Sequence, residues 1–237
     1  MTKIGILVAM AVECRSLTPK RIPEGGCLEL SDGCIIGLSG AGPKAAQSCC
    51  AALVEAGAAS LISWGCAAAL APGINPGDLI LPTRIACTDG MQIDTDGTWH
   101  ARLLSELEGN MTVYTGILAE SDRIVAREDE KRAISACTGA IALDMESAAA
   151  ARAAGQFKLP FLAIRSIVDP VGVTLPPSVH AAFDENGMLN VPKLLLRSLR
   201  HPADMVGIIR LGRHFGAAMK SLRLAAAISR EAHFAAA

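Results

Sequence analysis

Three acidic residues, Glu13, Glu146 and Asp169, each stand just after an apolar run or where such a run passes into a helical stretch. Loops at those places gather at strand ends, where α/β proteins build their sites. A carboxylate there can protonate a leaving group, take a proton from water, or steady a developing cation. Cleavage of an N-glycosidic bond calls on all three, because positive charge grows on the sugar and negative charge on the departing base. Acidic residues also suit helix N-termini, where the backbone dipole favours negative charge. Spacing alone leaves both readings open.

The elements that must position these residues follow from hydropathy. Ile4 to Ala9, Cys34 to Leu38 and Leu61 to Trp64 are short continuous apolar runs, as expected of strands covered on both faces, and Leu162 to Val168 is one more buried-strand candidate. Asp78 to Ala86, Thr112 to Leu118 and Ile141 to Met145 are further strand candidates. Lys44 to Ala56, closed by Gly57, and Glu146 to Ala154, closed by Gly155, carry helical spacing. Ser121 to Ile134 reads as a polar helix, and Pro192 to Ala237 as helical with a break at Pro202. Strands alternating with helices predict an α/β sheet.

Composition narrows the function classes. The chain has 237 residues, 51% hydrophobic and 19% charged, which fits one domain with a sizeable core. A net charge of −1 argues against a general nucleic-acid binder. Residues 193–237 nevertheless carry 8 Lys and Arg against 2 Asp and Glu, a basic tail on an acidic body. The cysteines, Cys14, Cys27, Cys34, Cys49, Cys50, Cys66, Cys87 and Cys137, form no C-x-x-C pair and sit mostly in apolar stretches. They read as reduced thiols of a cytoplasmic protein. Signal-peptide and transmembrane patterns are not expected, and neither a metal nor a cofactor is. Gly40-x-Gly42-x-x-Ala45 superficially matches a dinucleotide fingerprint, but it follows a later strand and lacks the acidic residue about 20 positions on.

The wording around the carboxylates is more specific. Lys3-Ile4-Gly5-Ile6 with Ala9-Met10-Ala11-Val12-Glu13, Leu143-Asp144-Met145-Glu146-Ser147, and Phe161 through Arg165-Ser166-Ile167-Val168-Asp169 resemble, in order, the bacterial methylthioadenosine/S-adenosylhomocysteine nucleosidases of the nucleoside phosphorylase superfamily. Ser39-Gly40-Ala41-Gly42-Pro43, Gly65-Cys66-Ala67-Ala68 and Pro76-Gly77-Asp78 fall where that superfamily has its glycine-rich loops and Gly-Asp strand start. The resemblance implies a single-domain α/β/α sandwich with a mixed central sheet. It also implies roles. Asp169 would protonate N7 of an adenine, Glu13 would direct or deprotonate the attacking water, and Glu146 would hold ribose hydroxyls over Met145. Arg165 would fix the water and the carboxylates. Cys66 and Ala67 would line the substrate, and Phe183 would close over it, in its own or a neighbour's site in a homo-oligomer.

Phosphorylases of the superfamily show an N-terminal Gly-Asp-Pro-x-x-Arg pattern that is absent here. Ser63 and Cys66 stand where a phosphate-binding Arg and Ser would fall, and a thiol is a poor donor to an anion. Water is the expected nucleophile. Ile124 stands where the nucleosidases have an adenine-stacking Phe, and Cys66 and Ala68 replace their Ser and Gly.

The expected organisation is a catalytic region, residues 1–192, and a basic amphipathic helical extension of the same domain, residues 193–237. Met205, Ile208, Ile209, Phe215, Met219, Leu222 and Ala226 fall near one helical face, with Arg210, Arg213, His214 and Lys220 largely on the other. Such a helix can lie on anionic membrane or pack on the enzyme. With its apolar, Arg-rich C-terminus the chain resembles the hopanoid-associated phosphorylases. That resemblance implies an adenosine joined through its 5′ carbon to a hopane, giving adenine and ribosylhopane, with peripheral contact at the inner face of the membrane. A nucleosidase for a soluble 5′-thioadenosine, a true phosphorylase, and a catalytically silent nucleoside-binding protein are the competing expectations.

Overall fold

The computed structural model describes residues 3–174 and 204–231. The chain runs β1 (Lys3–Val8), α1 (Ala11–Cys14), β2 (Cys27–Glu29), β3 (Cys34–Leu38), α2 (Pro43–Glu55) and β4 (Ala58–Ala69). It continues through β5 (Leu79–Ile80), β6 (Arg84–Ala86), β7 (Gln92–Asp94), α3 (Gly97–Glu108), β8 (Val113–Tyr114) and β9 (Ile117–Glu120). Then come α4 (Glu128–Thr138), β10 (Ala142–Asp144), α5 (Ser147–Phe157), β11 (Phe161–Asp169) and a last helix, α6 (Met205–Glu231).

The strands form one mixed sheet with β4 as its spine. On one side, β4 pairs in parallel with β1 along its first half and antiparallel with β10 at Ala68 and Ala69. On the other it pairs in parallel with β11 from Leu61 to Ala68. The centre is buried on both faces and reads as largely apolar sequence, interrupted by the buried Ser60, Ser63, Arg165 and Ser166. Helices α2 and α5 cover one face through Cys50, Leu53, Ala148 and Ala151. Helices α3 and α6 cover the other through Trp99, Leu103, Met219 and Leu222. The architecture is the three-layer α/β/α sandwich with a mixed sheet.

Local chemistry explains the boundaries. Pro43 starts α2 at a position where its missing N–H is harmless, and Gly57, at φ +97°, ends the connection to β4. Asp96 caps α3 by accepting from Trp99 N, and Trp99, His100, Leu103 and Leu107 at helical spacing form its buried face. That helix was not expected from the sequence. The helix expected from Ser121 begins only at Glu128, because Ser121 Oγ folds back on the Arg123 carbonyl and holds a turn. The run expected as one strand from Asp78 to Ala86 is two short strands, β5 and β6, that join different neighbours.

Helix α6 is split lengthwise rather than along the expected stripe. Ala218, Met219, Leu222, Ala225 and Ala226 are buried against the sheet and α3, whereas Met205, Val206 and Ile209 are exposed. Arg210, Arg213, Lys220 and Arg223 are exposed as well. The second half of α6 is thus part of the core. No helix among the described residues is long and apolar enough to cross a membrane.

Candidate active site

Four strands end at one place. β1 leads through Met10 into the short α1 that carries Glu13, β10 ends at Asp144 just before Glu146, and β11 ends at Asp169. Residues 65–68 of β4 lie among them: Gly65 is in register with Arg165 and Ala68 with Asp169. The C-terminal strand ends bring loops together, which is why the site's residues come from distant parts of the chain.

Glu13 is buried, yet both its oxygens are engaged. Oε1 accepts from Cys66 N at 2.8 Å and Oε2 from Met10 N at 3.1 Å. Burial raises its affinity for a proton, while the Arg165 charge and these N–H groups work against that rise. Glu146 is buried too, and Gly42 N donates to its Oε1 at 3.3 Å. Gly42 adopts φ +95°, a left-handed backbone that lets the loop before α2 turn its N–H inward. Burial first, and then the like charges of Asp144 and Glu13, push the Glu146 pKa up to about 7.

Arg165 is the charge at the centre. Its Nε lies 2.6 Å from Oδ2 of Asp144, and its Nη2 donates to the hydroxyls of Ser63 and Ser147. Ser147 Oγ in turn donates to Asp144 Oδ2 at 2.6 Å. These four side chains form a closed, buried cluster beneath Glu13 and Glu146. The guanidinium passes under Gly65. A Cβ at Gly65 would lie 2.5 Å from Arg165 Nη1 and 2.8 Å from Glu13 Oε1, so only glycine leaves room for the pair.

Asp169 sits at the other edge. Its Oδ2 is 2.8 Å from Nζ of Lys131, a lysine of α4 with a fully buried side chain. Nζ also donates to the carbonyls of Pro170, at 3.1 Å, and Val173, at 3.0 Å. Oδ1 of Asp169 is buried and has no hydrogen-bond partner among the described residues. Burial, opposed by Lys131, raises the Asp169 pKa to about 6.

Of the residues singled out in the sequence, Glu13, Cys66, Ala67, Met145, Glu146, Arg165 and Asp169 all fall on these converging ends. Met145 is half-buried beside Glu146, and Ala67 is buried on β4. Cys66 is partly exposed; burial and the adjacent Glu13 hold its thiol well above the usual range, so it stays protonated. Phe183 lies outside the described residues. Arg165, expected to fix the water and the carboxylates, is itself paired with Asp144 and lies beside Glu13. Sequence reasoning missed Asp144, Ser63 and Ser147 as its partners, although Asp144 and Ser147 flank the Met-Glu pair already singled out. It also missed Lys131, because a lysine in a polar helix reads as solvated.

A family model described as the phosphorylase superfamily matches residues 3–200. The chain belongs to the phosphorylase superfamily. Among the superfamily's characterised proteins, a 5′-methylthioadenosine/S-adenosylhomocysteine nucleosidase of Thermotoga maritima is 32% identical over 81 residues, which span 34% of this chain and 37% of that protein. The chain thus matches little more than a third of that relative's length.

Solved structures show the same fold over nearly the full length. The 5′-methylthioadenosine/S-adenosylhomocysteine nucleosidase of Neisseria meningitidis, in complex with methylthio-immucillin-A, superposes with a TM-score of 0.73 at 19% identity, covering 98% of this chain and 100% of that one. Futalosine hydrolase of Helicobacter pylori superposes with a TM-score of 0.69 at 20% identity, covering 95% and 96%.

Proposed function

We propose that the chain is an N-ribosyl hydrolase that releases adenine from a 5′-substituted adenosine. The observation that carries this reading is the set of three buried carboxylates, Glu13, Glu146 and Asp169, all with raised proton affinity, at the strand ends around β4. Asp169, with a pKa of about 6, can hold a proton near neutral pH and give it to N7 of the base. Protonation lets the base leave as neutral adenine rather than as an anion. Glu13 takes the proton of the attacking water, and Glu146 accepts hydrogen bonds from the ribose hydroxyls above Met145. Cys66 and Ala67 line the floor on the base side. Phe183 keeps the role of a closing aromatic carried by the family resemblance.

Water is the proposed nucleophile rather than phosphate. Arg165 is spent on Asp144, Ser63 and Ser147, and Ser63 is fully buried beneath the site. A phosphate would need guanidinium or hydroxyl groups that are free to reach it.

For the 5′ substituent we propose a hopane, so that adenosylhopane gives ribosylhopane and adenine at the inner face of the membrane. Support comes from the outward side of α6. Met205, Val206, Ile209 and Leu224 are exposed there among Arg210, Arg213, Lys220 and Arg223, a pairing of apolar and basic side chains that suits an anionic lipid surface. The Thermotoga relative, by its name, favours a second reading in which the substituent is a soluble thioether. Adenine release from a panel of 5′-substituted adenosines, thioethers and adenosylhopane included, tests all of this when run with and without phosphate. Free sugar in phosphate-free buffer supports hydrolysis; strict phosphate dependence overturns it. No adenine from any member sinks the enzymatic reading.

A further inference from the structure

Lys131 takes no part in the chemistry proposed for the three carboxylates, yet it is one of the most buried charged groups in the described residues. Burying an ammonium is costly unless every N–H finds a partner. Here all three do: Oδ2 of Asp169, the carbonyl of Pro170 and the carbonyl of Val173. The two carbonyls belong to the turn that follows β11, so Lys131 staples that turn and Asp169 to α4. The arrangement makes the two carboxylate oxygens unequal. Oδ2 faces a full positive charge, and Oδ1 is buried without a partner among the described residues. A proton on Oδ2 would have to sit against the ammonium, so it goes to Oδ1.

We propose that Lys131 is a positioning residue that reserves Oδ1 of Asp169 as the oxygen that carries and delivers the catalytic proton. The inference rests on the proposed role of Asp169 as general acid. The proton moves from Oδ1 to N7 as the bond between ribose and N9 breaks. The carboxylate left behind is stabilised by the ammonium on its other oxygen, which makes the acid stronger than burial alone would. Other charged groups nearby, among the described residues, do not do this. His214 of α6 lies against the carbonyl of Val168. Arg127 and Arg132 of α4 pair with Asp129 and Glu128 on the solvent side.

Two measurements on the full-length chain test the inference. The first is the titration of Asp169 followed by the NMR of ¹³C-labelled aspartate carboxyls, with the resonance assigned through Asp169→Asn. An opposite charge in contact lowers a carboxyl pKa by about 1–3, so Lys131→Met should raise the Asp169 midpoint by at least about one pH unit. Lys131→Arg, which keeps the charge, should stay much closer to the native midpoint. The second is the pH profile of adenine release from 5′-methylthioadenosine. Activity needs protonated Asp169 and falls as pH rises through its pKa, so in Lys131→Met the alkaline limb should move to higher pH. At the plateau kcat should drop about tenfold or more, a fraction of the roughly 10²–10⁴ a general acid contributes, with little change in KM. An unmoved Asp169 midpoint in folded Lys131→Met overturns the proposal, as does a uniform loss of rate with the limb in place. The NMR titration reads the pairing even if the wild type releases no adenine, so failure of the proposed activity and failure of this inference give different results.

Discussion

The guanidinium of Arg165 and the carboxylate of Asp144 meet at 2.6 Å with both side chains only 2% exposed. Ser63 and Ser147 satisfy part of what remains of their hydrogen-bonding capacity. Asp144 holds the guanidinium there, and its charge limits how far burial can drive Glu13 toward the neutral form, whereas at Glu146 the like charge of Asp144 outweighs that of Arg165.

Breaking that pair should cost stability as well as activity. Asp144→Asn leaves the Arg165 charge buried without its counter-ion, a change of the kind that costs about 3–5 kcal/mol. A urea melt of the variant should show a midpoint displaced by that amount of stability, and an unchanged midpoint would show that water or Ser147 compensates fully.

Gly65→Ala should damage catalysis more than folding. The new Cβ would displace Arg165 Nη1 and Glu13 Oε1, both ends of flexible side chains, so the sheet can persist while the carboxylate moves. A displacement of about 1 Å at a reacting group can cost about 100-fold in rate. Steady-state kinetics beside a thermal melt separate the two effects, and near-native kcat in this variant would show that Glu13 has room to adjust.

The raised carboxyl pKa values make a stability prediction of definite sign. Glu146 goes from an ordinary 4.5 in the unfolded chain to about 7 when folded, and Asp169 from 3.8 to about 6. The folded state binds these protons more tightly, so their contribution is fully present below the unfolded pKa values. It is lost as pH rises from about 4 through 7, and amounts to about 1.4 kcal/mol for each pH unit that separates a group's folded and unfolded values. Glu146→Gln, which stays neutral and leaves each buried cation its counter-ion, should melt higher than wild type at pH 8 and close to it at pH 4. A wild-type advantage at pH 8 would contradict the burial cost assigned to Glu146.

The two sides of α6 should respond differently to mutation. Leu222→Ala, on the core side, removes a fully buried side chain and should destabilise the fold by about 2–5 kcal/mol. Arg210→Glu with Arg213→Glu, on the exposed side, should leave stability near wild type and weaken binding to vesicles containing anionic phospholipid. Each basic residue near such a surface contributes about 1 kcal/mol, and salt should screen it. Co-sedimentation in low and high salt measures this; a wild type that ignores anionic vesicles would remove the support for a membrane-borne substrate.

Asp169→Asn should reduce adenine release by about 10²–10⁴-fold without unfolding the chain, since the amide keeps the shape but has no acidic proton to give. Turnover within a few-fold of wild type would remove Asp169 from the mechanism.

The central strands were legible in the linear sequence because a strand buried on both faces must be largely apolar, and Cys34–Leu38 matches its expected bounds to the residue. The three carboxylates were legible as well, since each follows such a run and local order alone puts it at a strand end. The superfamily could be read from the same words in the same order. Other features depended on where distant segments meet. The polar turn that delays α4, the capping of α3 by Asp96, and the division of α6 into a buried and a solvent side reflect packing partners far away in the chain. Above all, periodicity marks Lys131 as solvent-facing; only the meeting of α4 with the end of β11 and the turn after it buries it on Asp169. Likewise nothing local in Arg165 says which acid it will take; Asp144 wins because β10 and β11 both pair with the last part of β4. That Glu13, Glu146 and Asp169 stand at the ends of apolar runs was written in the sequence. Which charges neutralise which was decided by tertiary structure, because a buried charge is stable only beside partners that folding brings to it.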